Sequence, residues 1–198
     1  MVRLFVEGGG ESEFLHAQCR EAFSIFLKKA GFEGRMPRLV ACGDRGTAFD
    51  KFRTAVISGE DAFLLVDSEA SVGASVKKSW IHLKGRENWS KPKGATDDMC
   101  HLMVQCIEAW FLADKQVLTN FFGQGFNPNA LPKNADIEQI AKDDVYRGLE
   151  RASAHCKTKA PYGKGEHSFK ILAKIDPTKV RTASPWADRF LVELGKVV

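Results

Sequence analysis

VRLFVEGGGE, residues 2–11, is the stretch of sequence that decides the fold. Residues 2–6 form a short, mostly apolar run that ends at Glu7 and three glycines, which is typical of a buried strand. Residues 11–29 then have the apolar periodicity of a helix, with Phe23 and Phe26 on its apolar face, and Gly31 can end that helix. A strand that passes through glycines into a helix predicts the first βα unit of an α/β fold.

The same alternation continues along the chain. Further strands are predicted at RLVAC (38–42), AFLLV (62–66) and HLMVQCI (101–107), and further helices over 48–57 and 108–122. Repeated βα units predict a mostly parallel sheet with right-handed crossovers, flanked by helices. Residues 70–100 are rich in Lys, Gly, Ser and Pro and are predicted to be irregular, whereas 137–155, 168–175 and 186–194 are predicted helices. We therefore expect an α/β domain over residues 1–122 and a helical C-terminal region, 123–198, packed on it.

Acidic residues stand at the ends of three predicted strands. Glu7 follows the first strand, Asp67 and Glu69 follow the third, and Glu108 follows the fourth, while Glu11 comes four residues after Glu7. The carboxyl ends of parallel strands meet at one edge of the sheet, so these carboxylates would repel one another there. Mg²⁺ and Mn²⁺ prefer carboxylate oxygens and would relieve that repulsion. The pattern predicts a divalent-metal site built from these acids and suited to phosphodiester chemistry.

Other interpretations of these residues stay open or are excluded by spacing. Any single acid, Asp67 included, could serve as a helix cap or a solvated turn residue, and Glu11 could complement the start of a helix. Gly8 and Gly10 have the first spacing of a dinucleotide fingerprint, but Glu13 occupies the place of its third glycine. The chain also lacks a phosphate-binding loop of the Walker type.

Composition indicates an ordinary globular protein. The 198 residues carry 29 Lys and Arg against 25 Asp and Glu, and no apolar run approaches the roughly 20 residues needed to cross a membrane. The N-terminus enters a strand at once, which leaves no room for a signal peptide. Five cysteines without CxxC spacing favour reduced core thiols over a zinc site or a disulfide framework, so we expect a cytoplasmic protein.

Basic residues cluster in two segments despite the small net charge. Such clusters can neutralise backbone phosphates, although a solvated surface would have the same composition. The candidate nucleic-acid contacts are Lys77, Lys78, Lys84, Arg86, Lys164 and His167.

The acidic motifs resemble those of the Toprim fold found in topoisomerases, primases and OLD-type nucleases. The shared features are a Glu after the first strand (Glu7), a DxD-type pair after the third, here Asp67 and Glu69, and the second Glu of the OLD branch (Glu11). The chain as a whole is similar to the Toprim-like DUF4276 family in the phrases LFVEGGGE, LLVDSE, HLMVQCIEAWFLAD and KGEHSFKIL. The resemblance implies a Toprim-like Rossmannoid fold.

The resemblance also implies roles for individual residues. Glu7, Glu11, Asp67 and Glu69 would hold Mg²⁺ or Mn²⁺, with Glu108 as an additional acid. Glu7 and Asp67 would be catalytic together with Lys170, which would stabilise the transition state.

The activity implied by the resemblance is metal-dependent cleavage of DNA or RNA in phage defence, beside an ABC-type ATPase partner. Neither Tyr146 nor Tyr162 is positioned as a topoisomerase nucleophile, and a primase zinc module is missing, which favours a nuclease. Two alternatives stay open: a noncatalytic regulatory or sensor subunit of an ATPase-containing defence complex, and a hydrolase of a small phosphorylated molecule. The oligomeric state is also open.

Overall fold

A four-stranded parallel sheet forms the centre of the computed structural model, which describes residues 1–198. Its strands are β1 (Arg3–Gly9), β2 (Arg38–Gly43), β3 (Ala62–Asp67) and β4 (Cys100–Met103), in the order β2-β1-β3-β4. All three pairings are parallel. The prediction of an α/β fold with a parallel sheet flanked by helices is confirmed.

Helices cover both faces of the sheet. Helix α1 (Glu13–Leu27), which ends in a π-helical turn (Lys28–Phe32), joins β1 to β2, and α2 (Arg45–Ile57) joins β2 to β3. Phe23 and Phe26 of α1 belong to the apolar core on one face, and Phe52 of α2 belongs to the core on the other. Because β3 lies between these two cores, each of its six residues is buried.

The prediction that residues 70–100 are irregular is wrong in part. Helix α3 (Ser79–Glu87) lies within this segment, and its C-cap Asn88 has a left-handed φ of 58°. Trp80 and Leu83, three residues apart, are buried against the sheet, and the Trp89 ring stacks on Phe49 with centroids 4.4 Å apart. The abundance of Lys and Gly in the segment masked the apolar spacing of one short helix.

The fourth strand is shorter than predicted, and the chain after it is less regular. β4 ends at Met103, and a 3₁₀ helix (Ile107–Asp114) precedes α4 (Lys115–Phe122). The backbone N–H groups of Ser68 and Glu69 donate to the carbonyl oxygens of Met103 and Gln105 at 3.0 and 2.8 Å. The chain after β4 therefore stays attached to the end of β3. Residues 104–107 of the predicted strand remain buried in the core but are not part of the strand.

The C-terminal region is helical. It contains α5 (Lys142–Ser153), α6 (Lys164–Leu172), α7 (Pro177–Ala183) and α8 (Pro185–Gly195), with short 3₁₀ turns at Pro128–Ala130 and Ile137–Gln139. Helix α7 was not predicted, although Asp176 caps it and Pro177 opens it. These helices share one apolar core with α1, and the boundary at residue 122 stays a prediction. None of the helices combines the length and the apolar character needed to span a membrane.

Candidate metal centre

Glu7, Asp67 and Glu69 lie together at the carboxyl end of the sheet. One carboxylate oxygen from each of them falls within 4.8 Å of the other two. β1 and β3 are neighbouring parallel strands, with Val6 paired to Leu65, so their exits are adjacent. The Glu7 Oε2 atom accepts a hydrogen bond from the Asp67 N–H at 2.9 Å, which ties the two strand ends to each other.

Asp67 is the buried member of this group. Its side chain is fully enclosed, its Oδ1 atom accepts from the Ile107 N–H at 3.0 Å, and its Oδ2 atom lies 3.5 Å from Lys142 Nζ. Burial raises the pKa of Asp67 well above its ordinary value, and the negative charges of Glu7 and Glu108 raise it further. Burial also raises the pKa of Glu7. Both carboxylates therefore lie where added positive charge would stabilise their ionised forms.

Glu69 is held by its backbone and by a salt bridge. Its φ of 63° is left-handed, a conformation that residues other than glycine seldom adopt, and its N–H is fixed by Gln105. The Glu69 carboxylate accepts a short hydrogen bond from Lys142 and lies 3.9 Å from Arg45 Nη1. Burial alone would raise the pKa of Glu69, but the hydrogen bond and charge of Lys142, with Arg45, lower it overall.

Lys142, the first residue of α5, was not predicted as part of the site. Burial alone would lower its pKa, but the charges of Asp67 and Glu69 raise it overall, so the ammonium is a fixed positive charge among the acids. It lies 73 residues beyond Glu69 in the sequence, and only the packing of α5 against the sheet domain brings the two together. No local signal in the sequence could have identified it.

Glu108 lies close enough to Asp67 to act on its charge, but it is enclosed by protein hydroxyl groups. It is fully buried; its Oε1 atom accepts from Tyr162 at 3.1 Å and from Ser168 at 3.0 Å, and its Oε2 atom accepts from Tyr146 at 3.1 Å. Burial raises the pKa of both tyrosines, and the charge of Glu108 raises it further, so the phenols remain hydrogen-bond donors. The predicted role of Glu108 as an additional acid at the metal stays a prediction.

We expect Tyr162→Phe to destabilise the protein by about 1–3 kcal/mol, because Glu108 would lose one buried donor. Urea unfolding measures the change. Tyr146→Phe is the comparison, since it removes a donor from the same carboxylate at a less buried position. A Tyr162→Phe protein as stable as the wild type would show that the Tyr162 hydroxyl does not hold Glu108.

A cavity of about 290 Å³ opens beside the acids. Lys164, predicted as a nucleic-acid contact, lies on its wall. Lys164 Nζ is 5.7 Å from the centre of the Tyr146 ring, and Lys142 Nζ is 6.0 Å from the same centre. The cavity is also lined by three acids, one serine, five glycines and three apolar side chains: Glu7, Asp67, Glu108, Ser168, Gly8, Gly9, Gly10, Gly43, Gly165, Leu15, Ile107 and Phe169.

Three further predicted residues lie outside the carboxylate group. Glu11 is exposed in the turn before α1. Lys170 is exposed on α6 and lines a different groove, against α1. His167 is buried against Phe121 and Phe122, and its Nδ1 atom accepts from the Gly163 N–H at 3.0 Å. Their predicted functional roles stay predictions, and Lys142 and Lys164 are the lysines near the acids.

Four of the basic residues predicted to contact nucleic acid are exposed and have local partners: Lys77, Lys78, Lys84 and Arg86. Lys78 pairs with Asp97 at 2.7 Å, and Lys84 donates to Asn88 at 2.6 Å. Lys77 donates to the carbonyl oxygen of Ala74 at 3.0 Å, and Arg86 lies 3.5 Å from Glu87. A nucleic-acid interface at this surface stays a prediction.

The comparison with protein families identifies the chain. The model described as "Domain of unknown function (DUF4276)" matches residues 6–195, so the chain belongs to the DUF4276 family. Searches of curated proteins and of solved structures found no match. The match includes the glycine turn, all three clustered acids and both lysines near them.

Proposed function

We propose that this member of the DUF4276 family is a Mg²⁺- or Mn²⁺-dependent phosphodiesterase that cleaves DNA or RNA. One observation carries the proposal: three carboxylates from the ends of two neighbouring parallel strands lie within 4.8 Å of one another. A protein with no use for a cation would gain stability by replacing at least the fully buried Asp67 with a neutral residue.

The side chains fit a hard divalent cation. All three members of the group offer carboxylate oxygens, the donors that Mg²⁺ and Mn²⁺ prefer, and none offers sulfur or imidazole. Glu7, Asp67 and Glu69 would hold the ion. When bound, the ion would polarise a phosphoryl oxygen and make a nucleophile available from water at neutral pH.

The chain's own side chains would bind and orient the phosphate. Hydrolysis adds one water across a P–O bond, and negative charge builds up on the phosphoryl oxygens while the ester oxygen leaves with a proton. Lys164, on the cavity wall, offsets that charge. Gly8, Gly9 and Gly10 line the same cavity without side chains, which leaves room for the substrate to approach the backbone. Lys164 is better placed for this role than Lys170.

A Toprim-like relation to the OLD-type nucleases, and through it a cytoplasmic role in phage defence with an ABC-type ATPase partner, is part of the same proposal. The parallel sheet, the Glu on β1 and the Asp67–Glu69 pair at the end of β3 support it.

The test is hydrolysis by the purified protein with Mg²⁺, Mn²⁺, Ca²⁺ or EDTA. The substrates are single-stranded DNA, RNA, the diester bis(p-nitrophenyl) phosphate and the monoester p-nitrophenyl phosphate. We expect cleavage with Mn²⁺ or Mg²⁺ and none with EDTA.

Cleavage that survives EDTA would overturn the proposal. Calorimetric binding of Mn²⁺ without hydrolysis would favour the noncatalytic subunit, and hydrolysis confined to phosphomonoesters would favour the small-molecule hydrolase.

A further inference from the structure

We propose that the cavity beside the acids is a binding site for a single unpaired nucleotide, whose base occupies the apolar part while its phosphate faces the carboxylates and Lys164. The inference rests on the proposed function and specifies its substrate. That substrate is a phosphodiester of a nucleotide whose base is unstacked, as in a single strand or at a frayed end, rather than an intact duplex.

The cavity joins two chemically different surfaces. Glu7, Asp67 and Lys164 supply charge, whereas Leu15 and Phe169 are apolar side chains that stay only half-buried where they border the cavity. A metal and a phosphate have no use for apolar walls. A nucleotide needs both surfaces, because the faces of its base are apolar and its phosphate is charged. An aromatic and an aliphatic side chain beside a phosphate-binding group provide them.

The glycine turn gives the apolar part of the cavity a wall without side chains. Gly8, Gly9 and Gly10 have φ values of 139°, 98° and 52°. A Cβ atom at Gly8 would lie 3.3 Å from the Phe169 ring, so that ring already packs on the bare backbone. His16 fixes the turn, because its Nε2 atom lies 2.7 Å from the Gly10 carbonyl oxygen in a hydrogen bond. A fixed backbone wall beside an aromatic ring suits a planar group.

The size of the cavity favours one nucleotide. Its volume of about 290 Å³ is at the lower end of the roughly 300–1,000 Å³ of small-molecule sites. A base pair inside a duplex cannot enter such a cavity unless one base leaves the stack. Unpaired bases are bound by stacking on aromatic side chains, which tolerates any sequence.

The first experiment compares two diesters that release p-nitrophenol: thymidine 5′-(p-nitrophenyl phosphate) and methyl p-nitrophenyl phosphate. Both are assayed with Mn²⁺. We expect a KM about tenfold lower for the thymidine ester, because only it can stack a base. Phe169→Ala should bring the two KM values close to each other. Phe169→Leu keeps apolar volume for packing but has no aromatic ring, so it should also reduce the tenfold difference.

The matched control is Phe14→Ala. Phe14 lies beside Leu15 on α1, but its side chain is 68% exposed and lies outside the cavity. This variant should keep the wild-type ratio. Equal KM values for the two esters in the wild type would overturn the nucleotide site and leave the metal-dependent phosphodiesterase intact.

A binding measurement tests the site without hydrolysis. Thymidine 5′-monophosphate and inorganic phosphate are titrated calorimetrically into the protein with Ca²⁺. Binding of the nucleotide at least tenfold tighter than phosphate, lost in Phe169→Ala, supports the site even if neither ester is hydrolysed and the proposed function fails. Equal affinities overturn it.

Oligonucleotides then distinguish the source of the nucleotide. Faster cleavage of a single strand than of the matching blunt duplex supports a nucleic-acid strand. If the thymidine ester is cleaved and no oligonucleotide is, the nucleotide does not come from a nucleic-acid strand, and the ligand is a free nucleotide ester.

Discussion

Asp67→Asn is expected to abolish metal-dependent hydrolysis and, at the same time, to raise the melting temperature of the metal-free protein. The loss of activity should exceed about 100-fold, because groups that only support a metal ligand are already worth about 10–100-fold. Mn²⁺ binding, measured by calorimetry, should weaken with it. Asparagine keeps an oxygen that can accept from the Ile107 N–H, so the local backbone contact survives.

The gain in stability follows from the raised pKa of Asp67. Burial and the charge of Glu7 make the folded state hold the Asp67 proton more tightly than the unfolded chain does. The side chain's contribution to stability is therefore complete below its unfolded pKa of about 3.9 and is lost as pH rises through the folded pKa. Asparagine does not titrate. The variant should melt higher at pH 7, by about 2–4 °C for each kcal/mol recovered, and the gain should shrink toward pH 4.

Asp61→Asn is the matched control. Asp61 is exposed directly before β3, on the same segment of chain as Asp67. It should leave the hydrolysis rate, Mn²⁺ affinity and melting temperature unchanged. An Asp67→Asn protein that still hydrolyses diesters with Mn²⁺ would remove Asp67 from the proposed site, and one that is strongly destabilised would make Asp67 a structural residue.

The clustering of Glu7, Asp67 and Glu69 could be predicted from sequence because it depends on few facts. Two apolar runs of strand length, joined by helices, must be parallel, and parallel strands end at the same edge of the sheet. Glu11 shows where this reasoning stops. Three successive glycines with positive φ separate it from Glu7 and direct the chain to an exposed turn, and no sequence pattern reports those dihedral angles.

The residues around the acids depend on tertiary packing. Lys142, Tyr146 and Tyr162 belong to the C-terminal region, and each contacts a carboxylate of the sheet domain more than 35 residues away along the chain. Helix α5 is docked by buried side chains such as Val145 and Leu149, and its apolar spacing predicts a buried face without naming the surface that it meets. The sequence therefore predicts the clustered acids and leaves their lysine and tyrosine partners unpredicted.

Lys142→Met is expected to destabilise the metal-free protein and to tighten its binding of Mn²⁺. In the metal-free protein Lys142 Nζ contacts Asp67 and Glu69, so it supplies the positive charge that a cation would bring to the same carboxylates. Removing it leaves Asp67 and Glu69 without that partner. The loss should be about 1–3 kcal/mol, less than the 3–5 kcal/mol of a fully buried ion pair, because Lys142 retains 20% side-chain exposure.

The pH dependence of that loss identifies its cause. Lys142 lowers the pKa of Glu69 below its usual 4.5, so the stability that their pairing contributes is present above that value and disappears as pH falls through the lowered pKa. The raised pKa of Lys142 has the complementary effect, and its contribution disappears only at alkaline pH. Wild type and variant should therefore differ at pH 7 and converge in acid. Melting curves across this range measure the convergence.

Metal binding gives the second readout, because a ligand that binds only the folded state raises its stability in proportion to RT ln(1 + [L]/Kd). Removal of a competing ammonium should lower the Kd for Mn²⁺ by about tenfold, so the same Mn²⁺ concentration should raise the melting temperature of Lys142→Met more than that of the wild type. Lys133→Met, at an exposed lysine, is the control and should behave as wild type. If Lys142→Met instead loses Mn²⁺ affinity along with stability, Lys142 positions the carboxylates for the ion rather than standing in for it.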